Sequence, residues 1–90
     1  MQKLELSNDE IAVLAAISDQ ELMYSEIEEE LFRLELHEEE SYMRVVEGLV
    51  KKQILCSKWK WVLYYTIAPD ILSTNQPPYS YESWKALSEG

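Results

Sequence analysis

Apolar residues recur at helical spacing in three stretches of the chain and at strand-like density in a fourth. In "LSNDEIAVLAAIS", Ile11, Leu14 and Ile17, with Ala15 beside them, predict a first helix buried on one side and ending near Ser18 and Asp19. Its start is marked three times over: Ser7 can cap, Glu10 can close a capping box, and Leu6 can staple onto Ile11. A second capping box, Ser25 with Glu28, opens "YSEIEEELFRL", where the stripe Ile27, Leu31, Leu34 predicts a short helix with a strongly acidic outer side. The third helix is expected from about Glu38 to Gln53, turning Tyr42, Val45, Val46, Leu49 and Val50 inward. Gly48 inside it costs about 1 kcal/mol relative to alanine, which close approach of a neighbouring helix would offset.

After Gln53 the pattern changes. "ILCSKWKWVLYYTIAP" is rich in β-branched and aromatic residues and predicts two strands around a tight turn near Lys58 to Lys60, with Pro69 stopping the second. Trp59 and Trp61 have the same parity, so they share a face of a regular strand unless the turn falls between them. Beyond Pro69 a polar segment with Pro77 and Pro78 leads into an aromatic tail, Tyr79, Tyr81, Trp84 and Leu87. Four large apolar groups call for docking on an apolar surface, that of their own domain or of a second copy.

This order resembles the winged helix-turn-helix fold. In "YMRVVEGLVKKQIL", Tyr42, Val46, Leu49, Ile54 and Leu55 stand where that superfamily places the apolar residues of its third helix and first wing strand, and "YYTIAP" is similar to its second wing strand. The likeness runs over about residues 7–68. It implies a mainly α chain with a small antiparallel hairpin (α+β): a winged-helix domain over 1–69, three helices followed by a two-stranded wing, and a C-terminal extension over 70–90. Gln53 stands where the superfamily usually has glycine, so the helix end is expected to differ in shape. The resemblance also implies that Glu39, Glu40, Ser41, Arg44 and Glu47 would face the major groove of DNA.

Charge changes that picture. Seventeen acids against eight bases give a formal net charge of -9, which disfavours polyanions and favours basic partners. A carboxylate about 6 Å from a phosphate is repelled by roughly 0.7 kcal/mol at the dielectric of water and by about 3 kcal/mol at an effective value of 20. A helix N-terminus offers only about half a positive charge, too little to offset Glu38, Glu39 and Glu40 together. The bland account of these charges is that acids at a helix start and Lys51 and Lys52 at its end stabilise the helix dipole.

Ninety residues with 47% apolar content suit one small core. The single cysteine, Cys56, excludes an internal disulfide, and the start "MQKLELSNDE" lacks the apolar run of a signal peptide, so a reducing, cytoplasmic setting is expected, with no membrane span. Cys56 is expected in the core and His37 at a surface turn, with no second base to make a catalytic pair. "EIEEEL" and "HEEES" lack the pattern of a calcium loop, and with Gly48 and Gly90 as the only glycines there is no phosphate-binding loop. No enzyme activity, metal or cofactor is expected.

Three functional readings remain. One is a regulatory protein-interaction module, an adaptor or antagonist of a partner with a basic surface, binding through Glu39, Glu40, Arg44, Glu47 and Trp59. Another is a dimeric DNA-binding transcriptional regulator that uses Arg44, Lys51, Lys52, Lys58 and Lys60, with lysines beside aromatics tracking a phosphate backbone; a third is self-association alone, a homodimer with the C-terminal aromatic tail as its seam. The bland account of the hairpin places one tryptophan in the core and the lysines in solvent.

Overall fold

A computed structural model describes residues 5–74 and 80–89; of the side chains within them, those of 72–74, Leu87 and Glu89 are not described. The described residues form an α+β fold in the order α1 (Asn8–Ile17), β1 (Leu22–Met23), α2 (Tyr24–Arg33), α3 (Met43–Lys51), β2 (Leu55–Trp59), β3 (Leu63–Ile67), α4 (Pro69–Thr74) and α5 (Tyr81–Glu89). The three strands make one antiparallel sheet in the order β1-β3-β2. The expected two-stranded hairpin thus gains a third strand: Leu22 and Met23 pair with Tyr65 and Tyr64. Two residues are too short to show a period of two in the sequence, so only the tertiary pairing defines β1.

α1 starts as its sequence predicts. Ser7 Oγ accepts from the Glu10 N–H at 3.2 Å, and the Glu10 carboxylate accepts from the Ser7 N–H at 2.9 Å. Its burial is not one-sided, however, because every residue from Ile11 to Ile17 is buried. α2, α3, α5 and β3 all pack against α1, and its alanines let them approach. The second helix starts earlier than expected: Met23 is its N-cap, and Glu26, not Glu28, accepts from the cap N–H at 3.0 Å. Leu34 is not part of the core; at the C-cap of α2 it is 37% exposed.

Both α2 and α3 end in a left-handed residue. Glu35 (φ 59°) and Gln53 (φ 64°) each hold a Schellman arrangement, with Leu36 N–H donating to Leu31 C=O at 2.8 Å and Ile54 N–H to Leu49 C=O at 3.0 Å. Gln53 therefore adopts the conformation that glycine would adopt there, and the expected difference in shape is absent. Gly48 also departs from expectation, since a Cβ there would meet nothing within 4 Å and no helix approaches across it.

Pro69 follows the end of β3 and opens α4 at its first position, where a missing N–H costs no hydrogen bond. From α5, Trp84 enters the common core at 1% exposure, and Ser88 Oγ bridges the Leu6 N–H at 3.1 Å and the Leu6 C=O at 3.2 Å. The tail's central aromatic thus docks on its own domain and is not available to a seam between two copies. Tyr81 packs partly buried against the same core, while Tyr79 and the side chain of Leu87 lie outside the described residues. Among the described residues no helix is long and apolar enough to cross a membrane.

Candidate protein-binding face

α3 divides sharply. Val46 and Leu49 are fully buried with the N-cap residue Tyr42, while Met43, Arg44, Glu47 and Lys51 are exposed on the opposite side. The helix begins at Met43 and not at Glu38, so Glu38, Glu39 and Glu40 stand in the loop before it. The cause is Tyr42. Its buried hydroxyl accepts from the Glu38 N–H at 2.8 Å and the Glu39 N–H at 3.3 Å, and donates to the Leu36 C=O at 3.1 Å, so the loop closes around the phenol. Tyr24 holds the other side: its hydroxyl accepts from the Tyr42 backbone N–H at 2.8 Å and lies 3.3 Å from Ser41 Oγ. No acid occupies the first turn of α3, so the helix-dipole account of these glutamates does not apply to them.

The loop is packed as well as bonded. The His37 ring stacks on Phe32 at 3.9 Å between centroids and meets the Tyr42 ring edge-on at 5.2 Å, with Nε2 3.4 Å from the Glu28 carboxylate. His37 is therefore half-buried and held in place, not a free turn residue. Glu30 forms a 2.6 Å ion pair with Arg33, whose hydrogen bond pulls the Glu30 carboxyl below its ordinary range. Of the acids on α2, Glu30 is paired with Arg33, while Glu29 is exposed. Glu38, Glu39, Glu40 and Glu47 are exposed as well, together with Arg44 and Lys51.

The hairpin turns at Lys60 to Val62, later than the expected Lys58 to Lys60, with Trp59 ending β2 and Trp61 inside the turn. Trp59 lies opposite Leu63 on the face that carries Tyr65 and Ile67 into the core, whereas Trp61 meets the Tyr64 ring edge-on at 6.3 Å on the other face. Neither is in the core, contrary to the bland account: Trp59 is 72% exposed and Trp61 74%. The hairpin tip reaches past the helices that cover its base. Cys56, expected in the core, is also exposed, because its parity points it away from the face that Leu55 buries.

α3 packs on the face of the sheet that carries Trp59, since Val46 and Leu49 share the core with Leu55, Tyr65 and Ile67. The Tyr65 hydroxyl is held above its ordinary pKa, first by burial and then by the negative charge of Glu47. Tyr65 is two positions along β3 from Leu63, the cross-strand partner of Trp59.

The lysine cluster is partly neutralised. Lys52 pairs with Glu10 at 2.7 Å, and Lys60 pairs with Glu21 while its ammonium lies 5.1 Å from the centre of the Tyr64 ring. That hydrogen bond lowers the Glu21 pKa and raises that of Lys60. Lys51 and Lys58 remain exposed. Among the described residues no group of three or more His, Cys, Asp or Glu could hold a metal ion. An open cleft of about 460 Å³ lies between α1, α2 and the start of α5, floored by Ala15 and Ala16 and rimmed by the Glu30–Arg33 pair.

The tyrosine pair was the part that sequence reasoning missed. Tyr42 carried the same apolar mark as a leucine would, and only its buried surroundings make the hydroxyl a loop organiser. No family model matches the chain, and no curated protein or solved structure matches it.

Proposed function

We propose that this chain is an acidic protein-interaction module of the winged helix-turn-helix type, an adaptor or antagonist that binds a partner with a basic surface. The element order α1-β1-α2-α3-β2-β3, with a sheet closing beside α3, supports the fold assignment. The observation that carries the functional reading is the exposed Trp59, with Leu63 beside it, on the face of the sheet against which α3 packs. A solvated tryptophan is a common anchor in protein interfaces, and carboxylates around it steer a basic partner into contact. The DNA-binding alternative has less support, because two of its four lysines are paired with Glu10 and Glu21 and its groove-facing helix presents Glu47 with Glu39 and Glu40 before it.

The test begins with capture of partners on the immobilised protein and their identification by mass spectrometry. Stopped-flow association then compares the wild type with the Glu39→Gln, Glu40→Gln, Glu47→Gln triple variant at two salt concentrations. The triple variant should associate more slowly, most at low salt, and Trp59→Ala should dissociate faster. Submicromolar binding of generic duplex DNA at physiological salt, lost on Lys58→Glu with Lys60→Glu, would overturn the reading in favour of DNA.

A further inference from the structure

The sheet leaves β2 with β3 on one side and no described strand on the other, and Cys56, Ser57, Lys58 and Trp59 are all exposed. The direction of each backbone group on β2 follows from the bonds at its two ends. Ala68 N–H donates to Ile54 C=O at 2.8 Å and Lys60 N–H to Val62 C=O at 3.0 Å, and both pairs continue the register Leu55↔Ile67 to Trp59↔Leu63. Opposed residues in an antiparallel pair alternate between hydrogen-bonded and non-hydrogen-bonded. Cys56 and Lys58 therefore bond inward to Thr66 and Tyr64, while Leu55, Ser57 and Trp59 turn their N–H and C=O groups away from β3; Leu55 is buried, so the open part of this edge is Ser57 and Trp59.

An edge of this kind templates pairing unless proline, a bulge or several charges blunt it. β2 has no proline and one charge, Lys58. It also carries no carboxylate in a chain with seventeen, so the acids that would repel a second copy lie off the strand. We propose that this edge pairs with the same edge of a second copy, antiparallel about a two-fold axis through Ser57, joining two sheets into one of six strands.

The register is selective. Outward-facing residues must meet outward-facing residues, and a two-fold contact uses the same patch on both copies. An axis at Ser57 uses the exposed part of the strand, setting Ser57 against its own counterpart and Lys58 against Cys56 of the second copy, with each Trp59 reaching the buried Leu55 end of the other strand. No like charges oppose one another. An axis at Lys58 would set two lysines face to face, which is destabilising. An axis at Cys56 would run the ladder into Gln53, whose φ of 64° ends the extended backbone. The small Ser57 at the centre lets the strands close, and each exposed Trp59 lies over the end of the other strand. Trp59 belongs both to this edge and to the proposed partner-binding face, so the inference is tested on the purified protein alone, where its failure leaves the partner-binding reading untouched.

Size-exclusion chromatography with light scattering, from micromolar to near-millimolar protein, should show a monomer–dimer equilibrium. Ser57→Pro removes an N–H that points away from β3, so the hairpin keeps its ladder and circular dichroism should be unchanged. The variant loses both central bonds of the dimer, and its dissociation constant should rise at least about tenfold. In a second variant, Cys56→Ser with Ser57→Cys, mild oxidation should trap a covalent dimer, since hydrogen-bonded pairs place Cα atoms about 5.5 Å apart, within disulfide reach. A wild type that stays monomeric throughout, or a dimer that survives Ser57→Pro, overturns the proposal. Should Ser57→Pro fail to fold, the cysteine variant decides: no covalent dimer means no pairing at this edge.

Discussion

Tyr42→Phe isolates the hydroxyl that organises the acidic loop. The ring stays, so packing against Val46 and Leu49 is kept, and what is lost is the donation to Leu36 C=O and the acceptance from the Glu38 and Glu39 N–H groups. Leu36 is half-buried, and its unpaired carbonyl should cost about 1 kcal/mol; the two N–H groups belong to exposed residues that water can reach, so they add about 0.5 kcal/mol each. The sum, about 2 kcal/mol, predicts a melting temperature lower by roughly 8 to 16 °C for a domain of this size. Calorimetry measures the stability, and amide hydrogen exchange at Glu38 and Glu39 reads the local effect, which should be faster exchange in the variant. A fall of less than about 2 °C with unchanged exchange at those amides would refute the claim that the phenol holds the loop.

Three further outcomes are expected. Gln53→Gly removes a side chain from a left-handed position (φ 64°) and should stabilise by about 0.5 to 1 kcal/mol after the added freedom of the unfolded chain is counted, visible as a higher urea midpoint at unchanged m. Trp84→Ala should cost about 3 to 5 kcal/mol, a large share of the total for a small domain, and truncation after Thr74 should lower the melting temperature; calorimetry of both tests whether α5 is integral to the core. Tyr65 has a raised folded pKa, so its contribution is complete below the unfolded value of about 10.0 and is lost as pH rises through the folded value. Urea titrations at alkaline pH should therefore show wild-type stability falling above that point, more steeply than in Tyr65→Phe.

Local chemistry made the helices legible. The Ser7–Glu10 capping box and the i, i+3, i+4 stripes of α1, α2 and α3 depend on residues within one or two turns of each other, so their meaning is present in the chain itself. The β2–β3 hairpin was readable for the same reason, although its turn residues were not. Long-range geometry decided the rest. Glu38 to Glu40 look like a helix start, yet Tyr42 and Tyr24, eighteen positions apart, hold them in a loop. Whether Trp59 and Trp61 are core or surface depended on how far the hairpin extends past the helices, which no spacing encodes. The two residues of β1 acquire strand character only by pairing with β3. Composition set the negative charge; tertiary structure decided which carboxylates remain open, because Glu10, Glu21 and Glu30 find cations and Glu39, Glu40 and Glu47 face solvent.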